Sequence, residues 1–111
     1  MKVNIKSTNI SLPEEIMSFL DKKVKMLSRR YVEILGVEIN FRVEKSSHNS
    51  NKICEMRLII SGYDLLASSQ SKTFEEAISK TSEALERQIE KRKTVLKKEV
   101  IGFSGTNSQN I

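Results

Sequence analysis

Residues 37–43 read VEINFRV. Val37, Ile39, Phe41 and Val43 alternate with Glu38, Asn40 and Arg42. That period of two marks a strand with one buried and one wet face. Gly36 punctuates the chain just ahead of it. On the far side, residues 45–52, KSSHNSNK, read as a polar connecting loop. Cys54, Met56, Leu58 and Ile60 then mark the inward face of a further strand. Ser61-Gly62 makes a turn, and Tyr63 to Ser69 form a short last strand with Leu65 and Ala67 inward. At the other end of the chain, Val3 and Ile5 alternate with polar neighbours in a short first strand.

Two helical patterns complete the chain. Ser11-x-x-Glu14 has the form of a capping box, and Pro13 falls in the tolerated first turn. A helix is expected from about Leu12 to Tyr31, with Ile16, Phe19, Leu20, Val24, Leu27 and Tyr31 on its apolar face. Thr73-x-x-Glu76 caps a second helix that should reach about Lys98. The order is therefore β-α-β-β-β-α. This is an α+β fold with two helices packed on one face of a four-stranded mixed sheet. The first two strands should be parallel and the remaining connections antiparallel. The opposite sheet face is expected to be open and polar.

At 111 residues the chain holds one domain. We place that domain at residues 1–99 and expect a disordered tail over 100–111, where GFSGTNSQNI lacks periodicity. No apolar run is long enough to span a bilayer, so no membrane partner is expected. The chain opens on a strand-like MKVNIKS without a signal-peptide core, and its single cysteine, Cys54, suits a reducing compartment. Both features point to the cytoplasm.

The charge is unevenly spread. Arg87 to Lys98 holds six basic residues and one acid, an excess of five, which equals the net charge of +5 of the whole chain. At 100° per residue, Lys80, Arg87, Lys91 and Lys98 share one stripe. Phe74, Ile78, Thr81, Leu85, Ile89 and Leu96 share the opposite one, which weakens after Ile89, where Arg92 takes a core-side position. In the first helix Lys22, Lys25 and Arg29 lie away from the apolar face, and Lys23 sits at its edge. A plain solvated surface explains some of this, since Glu76–Lys80 and Glu83–Arg87 have i,i+4 spacing. The scarcity of acids after Arg87 favours a binding face for a polyanion. Phe19, Tyr31, Phe41 and Phe74 lie on apolar stripes, which leaves few rings for base stacking. Contacts should therefore go mainly to phosphate on a structured RNA surface.

Catalytic chemistry is absent from the pattern. One histidine, His48, and one cysteine make no zinc set. Cys54 alternates with Met56 and Leu58 on a buried face, which suits packing better than nucleophilic attack. No Walker loop or dinucleotide fingerprint occurs. No enzyme activity, cofactor, metal or small-molecule substrate is expected.

Three segments carry a resemblance: VEKSSHNS (Val43–Ser50), LLASSQSKTFEEAIS (Leu65–Ser79) and ALERQIEKRK (Ala84–Lys93). In order and spacing they resemble the ribosome hibernation-promoting factor family, also called ribosome-associated inhibitor or sigma-54 modulation proteins. The resemblance covers about residues 2 to 98 and implies the same β-α-β-β-β-α fold. It implies binding to the rRNA of the small ribosomal subunit, in the decoding channel, where messenger RNA and tRNA are blocked in stationary or stressed cells. By match to the signature helix, Arg87, Lys91 and Lys93 carry over as rRNA contacts, and Lys23 matches a basic position in the first helix. Ala84 replaces a lysine common before the signature leucine. The chain is expected to be a short form, without the second domain by which long members pair ribosomes. The alternative is a general structured or double-stranded RNA-binding module. A small enzyme on an acidic substrate is a third possibility, lacking a nucleophile or base.

Overall fold

The computed structural model describes residues 1–8, 10–45 and 51–103, with side chains described as far as Lys93. Its elements are β1 (Lys2–Ser7), α1 (Glu14–Arg30), β2 (Ile34–Val43), β3 (Lys52–Ile60), β4 (Tyr63–Ser71) and α2 (Phe74–Phe103). The sheet runs in the order β1-β2-β3-β4. β1 is parallel to β2, and the other pairs are antiparallel. The expected α+β architecture is thus the one observed.

The alternation in β2 does what its period requires. Val37, Ile39 and Phe41 are buried under the helices, in register with Leu58, Met56 and Cys54 of β3. Ile16, Leu20, Val24 and Leu27 come down from α1, and Ala77, Ile78, Leu85 and Ile89 from α2. Phe41 meets Phe74 edge to face at 5.4 Å. Burying the two rings together contributes about 1 kcal/mol beyond their area. Thr81, a polar residue on the apolar stripe of α2, is satisfied by the carbonyls of Ala77 at 2.7 Å and Cys54 at 3.2 Å.

Several boundaries differ from the sequence reading, each for a local reason. Gly36 is not a punctuation mark but part of β2, which starts at Ile34 and has a bulge between Ile34 and Gly36. A Cβ there would stand 3.1 Å from the Lys2 carbonyl oxygen, so the glycine lets β1 approach. Ser11 does not cap α1: the cap position is Pro13, with no side-chain bond, and the helix begins at Glu14. Glu14 and Glu15 in the first turn complement the helix dipole instead. In the second pattern the cap bond is made, because the Glu76 amide donates to Thr73 Oγ1 at 3.1 Å. β4 runs two residues beyond Ser69, to Ser71.

α2 continues to Phe103, past the expected end near Lys98, and its 30 residues span about 45 Å. Arg92 stacks on the ring of Tyr63, the first residue of β4, at 3.6 Å. The helix passes the β3–β4 hairpin there. His48 and residues 104–111 lie outside the described residues.

Candidate nucleic-acid interface

The helix layer and the open sheet face carry their charges differently. At the centre of the sheet face, Arg42 and Arg57 meet acids across the strands, while Lys2 and Lys6 on β1 have no such partner among the described residues. Arg42 pairs with Glu55 at 2.6 Å, and Arg57 lies 3.9 Å from both Glu38 and Asp64. Asn40 donates to Glu55 at 3.2 Å. A shallow concavity of about 430 Å³ opens among these groups and has no single sign of charge. Leu66 stands exposed beside it, so the face is polar but not uniformly so.

The helix layer points its cations outward. Lys22, Lys25 and Arg29 project from α1, opposite the buried stripe of Ile16, Leu20, Val24 and Leu27. Lys80, Arg87 and Lys91 do the same on α2. Lys25 pairs with Asp21 at 2.9 Å and Lys80 with Glu76 at 3.5 Å, both exposed i,i+4 pairs. Such pairs contribute about 0–1 kcal/mol and open readily for a phosphate. Among the described residues, no carboxylate lies within ion-pair distance of Lys22, Arg29, Arg87 or Lys91. The i,i+4 pair expected between Glu83 and Arg87 is not made.

Two candidates stand apart from this outward set. Lys23 lies over the Phe19 ring, 5.4 Å from its centroid, on the flank of α1. Lys93 turns toward α1, where Nζ is 3.3 Å from Glu33 and 5.0 Å from the Tyr31 ring centroid. The side chain of Lys98 lies outside the described residues.

A row of links between the helices holds the layer together, and the sequence reading did not find it. Arg30 pairs with Glu86 at 3.1 Å, Tyr31 donates to Glu90 at 2.7 Å, and Lys93 meets Glu33. The partners ascend together along both segments, so the helices run parallel. Helical phase hints at Arg30, which falls on the flank of α1 between the buried and outward stripes, but only the fold shows which helix lies beside it. Gln88 lies in the same stretch of α2. Its Nε2 donates to the Leu66 carbonyl at 3.0 Å and ties α2 to the β4 edge.

Burial pushes the Cys54 thiol up to about 12, against a lowering by Thr81, which keeps it a neutral packing group. Among the described residues no cluster of His, Cys, Asp and Glu could hold a metal ion, and no helix is long and apolar enough to cross a membrane.

Comparison with known proteins gives a consistent picture. The model of the family described as sigma 54 modulation protein / S30EA ribosomal protein matches residues 3–97. A ribosome hibernation promoting factor of Escherichia coli K12 is 29% identical over 97 residues, covering 87% of this chain and 98% of that protein. One from Azotobacter vinelandii is 26% identical over 93 residues, covering 84% and 83%. In fold the chain is similar to a ribosomal subunit interface protein from Coxiella burnetii, with a TM-score of 0.75, 19% identity and coverage of 85% and 99%. The N-terminal domain of Protein Y from Thermus thermophilus gives 0.68, 16% identity and coverage of 82% and 98%.

Proposed function

Because the chain belongs to the sigma 54 modulation protein / S30EA ribosomal protein family, we propose that it is a non-enzymatic ribosome hibernation factor. In this reading it is cytoplasmic, binds the small subunit through rRNA phosphates, and lies in the decoding channel. Messenger RNA and tRNA are then kept out in stationary or stressed cells. The relatives named as hibernation promoting factors support the ribosome as partner. No cofactor or small-molecule substrate enters.

One observation carries the choice of surface: Arg42 and Arg57 at the centre of the sheet face are matched to acids, whereas among the described residues no carboxylate pairs with Lys22, Arg29, Arg87 or Lys91 of the helix layer. A phosphate that meets an unpaired cation breaks no ion pair and releases condensed counterions. Among the described side chains the aromatic rings are used inside the fold: Tyr31 and Phe41 are buried, and Phe19, Tyr63 and Phe74 pack against the core. Contact therefore falls to charge and shape. Lys23 and Lys93 serve at the flanks, where their ammonium groups lie over the Phe19 and Tyr31 rings and turn outward to reach a phosphate.

The test is charge reversal. Arg87→Glu with Lys91→Glu should remove co-sedimentation with small subunits while the melting temperature stays within the range of a surface change, about 0.5 kcal/mol. Normal sedimentation of the folded double variant would refute the assignment. Equal affinity of the unaltered protein for a generic RNA duplex would favour the general RNA-binding reading.

A further inference from the structure

We infer that the open edge of β1 is a strand-addition site for an extended peptide segment in which apolar residues alternate with acidic ones. Among the described residues β1 pairs only with β2, so one row of its backbone donors and acceptors has no partner strand there. The other sheet edge is not equivalent, because Gln88 of α2 reaches over and donates to the Leu66 carbonyl.

The two faces of β1 specify the occupant. Val3 stands in register with Val37 and Ile5 with Ile39, so both point to the helix side. Val37 and Ile39 are buried, yet Val3 is 43% exposed and Ile5 36%. The cause is the position of α1. Its Arg30 flank is drawn against Glu86 of α2, and its opposite flank, with Met17 36% exposed, stops short of covering the rim. Met1 extends the same apolar strip. On the other face Lys2 and Lys6 are exposed, and among the described residues no acid lies within ion-pair distance of either. An incoming strand gains main-chain bonds, apolar contact with Val3, Ile5 and Met17, and opposite charges beside Lys2 and Lys6.

Charge decides among occupants. Antiparallel pairing of two copies centred on Asn4 keeps the apolar faces aligned and sets Lys2 against Lys6 twice, which is repulsive. A nucleic acid would meet the lysines but leave the apolar strip wet. Only an acidic and apolar peptide satisfies both faces.

The probe is a capped peptide of alternating Glu and Val, added to the full chain and followed by amide resonances. Saturable shifts confined to β1 and adjoining β2, with slower exchange of β1 amides, are expected. A peptide of alternating Lys and Val should give no such shifts. Ile5→Lys should weaken binding by at least about tenfold. The exposed pair Lys2→Glu with Lys6→Glu should exchange the preference between the two peptides, which a folding defect could not do. Absence of shifts at β1, or equal response to both peptides, would overturn the proposal. A dimer formed through β1 without peptide would overturn it in favour of a second copy. Shifts at β1 with a short single-stranded RNA but not with the peptide would overturn it in favour of nucleic acid.

Discussion

Tyr31, at the C-terminal end of α1, donates a 2.7 Å hydrogen bond to Oε2 of Glu90 on α2. The phenol is 1% exposed. Its bond lies between the Arg30–Glu86 and Lys93–Glu33 pairs, so it fixes the helices side by side where their basic faces meet.

Tyr31→Phe should therefore destabilise the fold by about 1.5–3 kcal/mol, as expected for a hydrogen bond to a charged acceptor. The effect has a pH signature. Burial first, and the bond to Glu90 second, push the phenol from 10.0 up to about 12. Between those values the folded chain keeps a proton that the unfolded chain has lost, so stability falls as pH rises. The contribution is whole below pH 10 and lost on passing through about 12. Melting curves across this window should show the gap between the parent and Tyr31→Phe closing. A constant gap would mean that the bond is not made.

Cys54 should behave as a packing residue. With the thiol raised to about 12, a thiol reagent should label the native chain at neutral pH only as fast as it unfolds. Cys54→Ala should cost about 1 kcal/mol or more through a small cavity and leave ribosome binding intact. Rapid labelling of the native protein would contradict this, and loss of all inhibition by a folded variant would revive a catalytic role.

The two capping patterns should separate by mutation. Thr73→Ala removes the bond to the Glu76 amide and should cost about 1 kcal/mol. Ser11→Ala removes no cap and should stay within about 0.5 kcal/mol. Equal losses in chemical denaturation would show that α1 is capped by Ser11 after all.

Gly62 turns the β3–β4 hairpin at φ 89°, and a Cβ there would meet nothing within 4 Å. Gly62→Ala should cost about 1 kcal/mol from backbone conformation alone. A neutral result in the same denaturation assay would mean that the turn relaxes to another type.

The architecture was legible because burial imposes a period. Val37, Ile39 and Phe41 announce a half-buried strand, and Ile78, Leu85 and Ile89 announce a docked helix. What escaped was set by groups distant in sequence. Gly36 looks like a break until β1 lies beside it. Ser11 and Thr73 carry the same four-residue signal, but chain geometry at Pro13 starts α1 too late for Ser11 to serve. The cationic stripes were readable from helical phase. Their division was not, because pairing of Lys93 with Glu33 and stacking of Arg92 on Tyr63 depend on which helix and strand are neighbours.

The central claim is that the helix layer meets phosphate through its unpaired cations, and the dependence of small-subunit affinity on salt tests it most directly. If Lys22, Arg29, Arg87 and Lys91 each neutralise one phosphate, log affinity against log salt should fall with a slope of about −3 to −4. Measured at fixed magnesium, Arg87→Ala should flatten that slope by about one unit, and Arg57→Ala on the sheet face should leave it unchanged. A nearly flat series, or equal effects of Arg87→Ala and Arg57→Ala, would contradict the account.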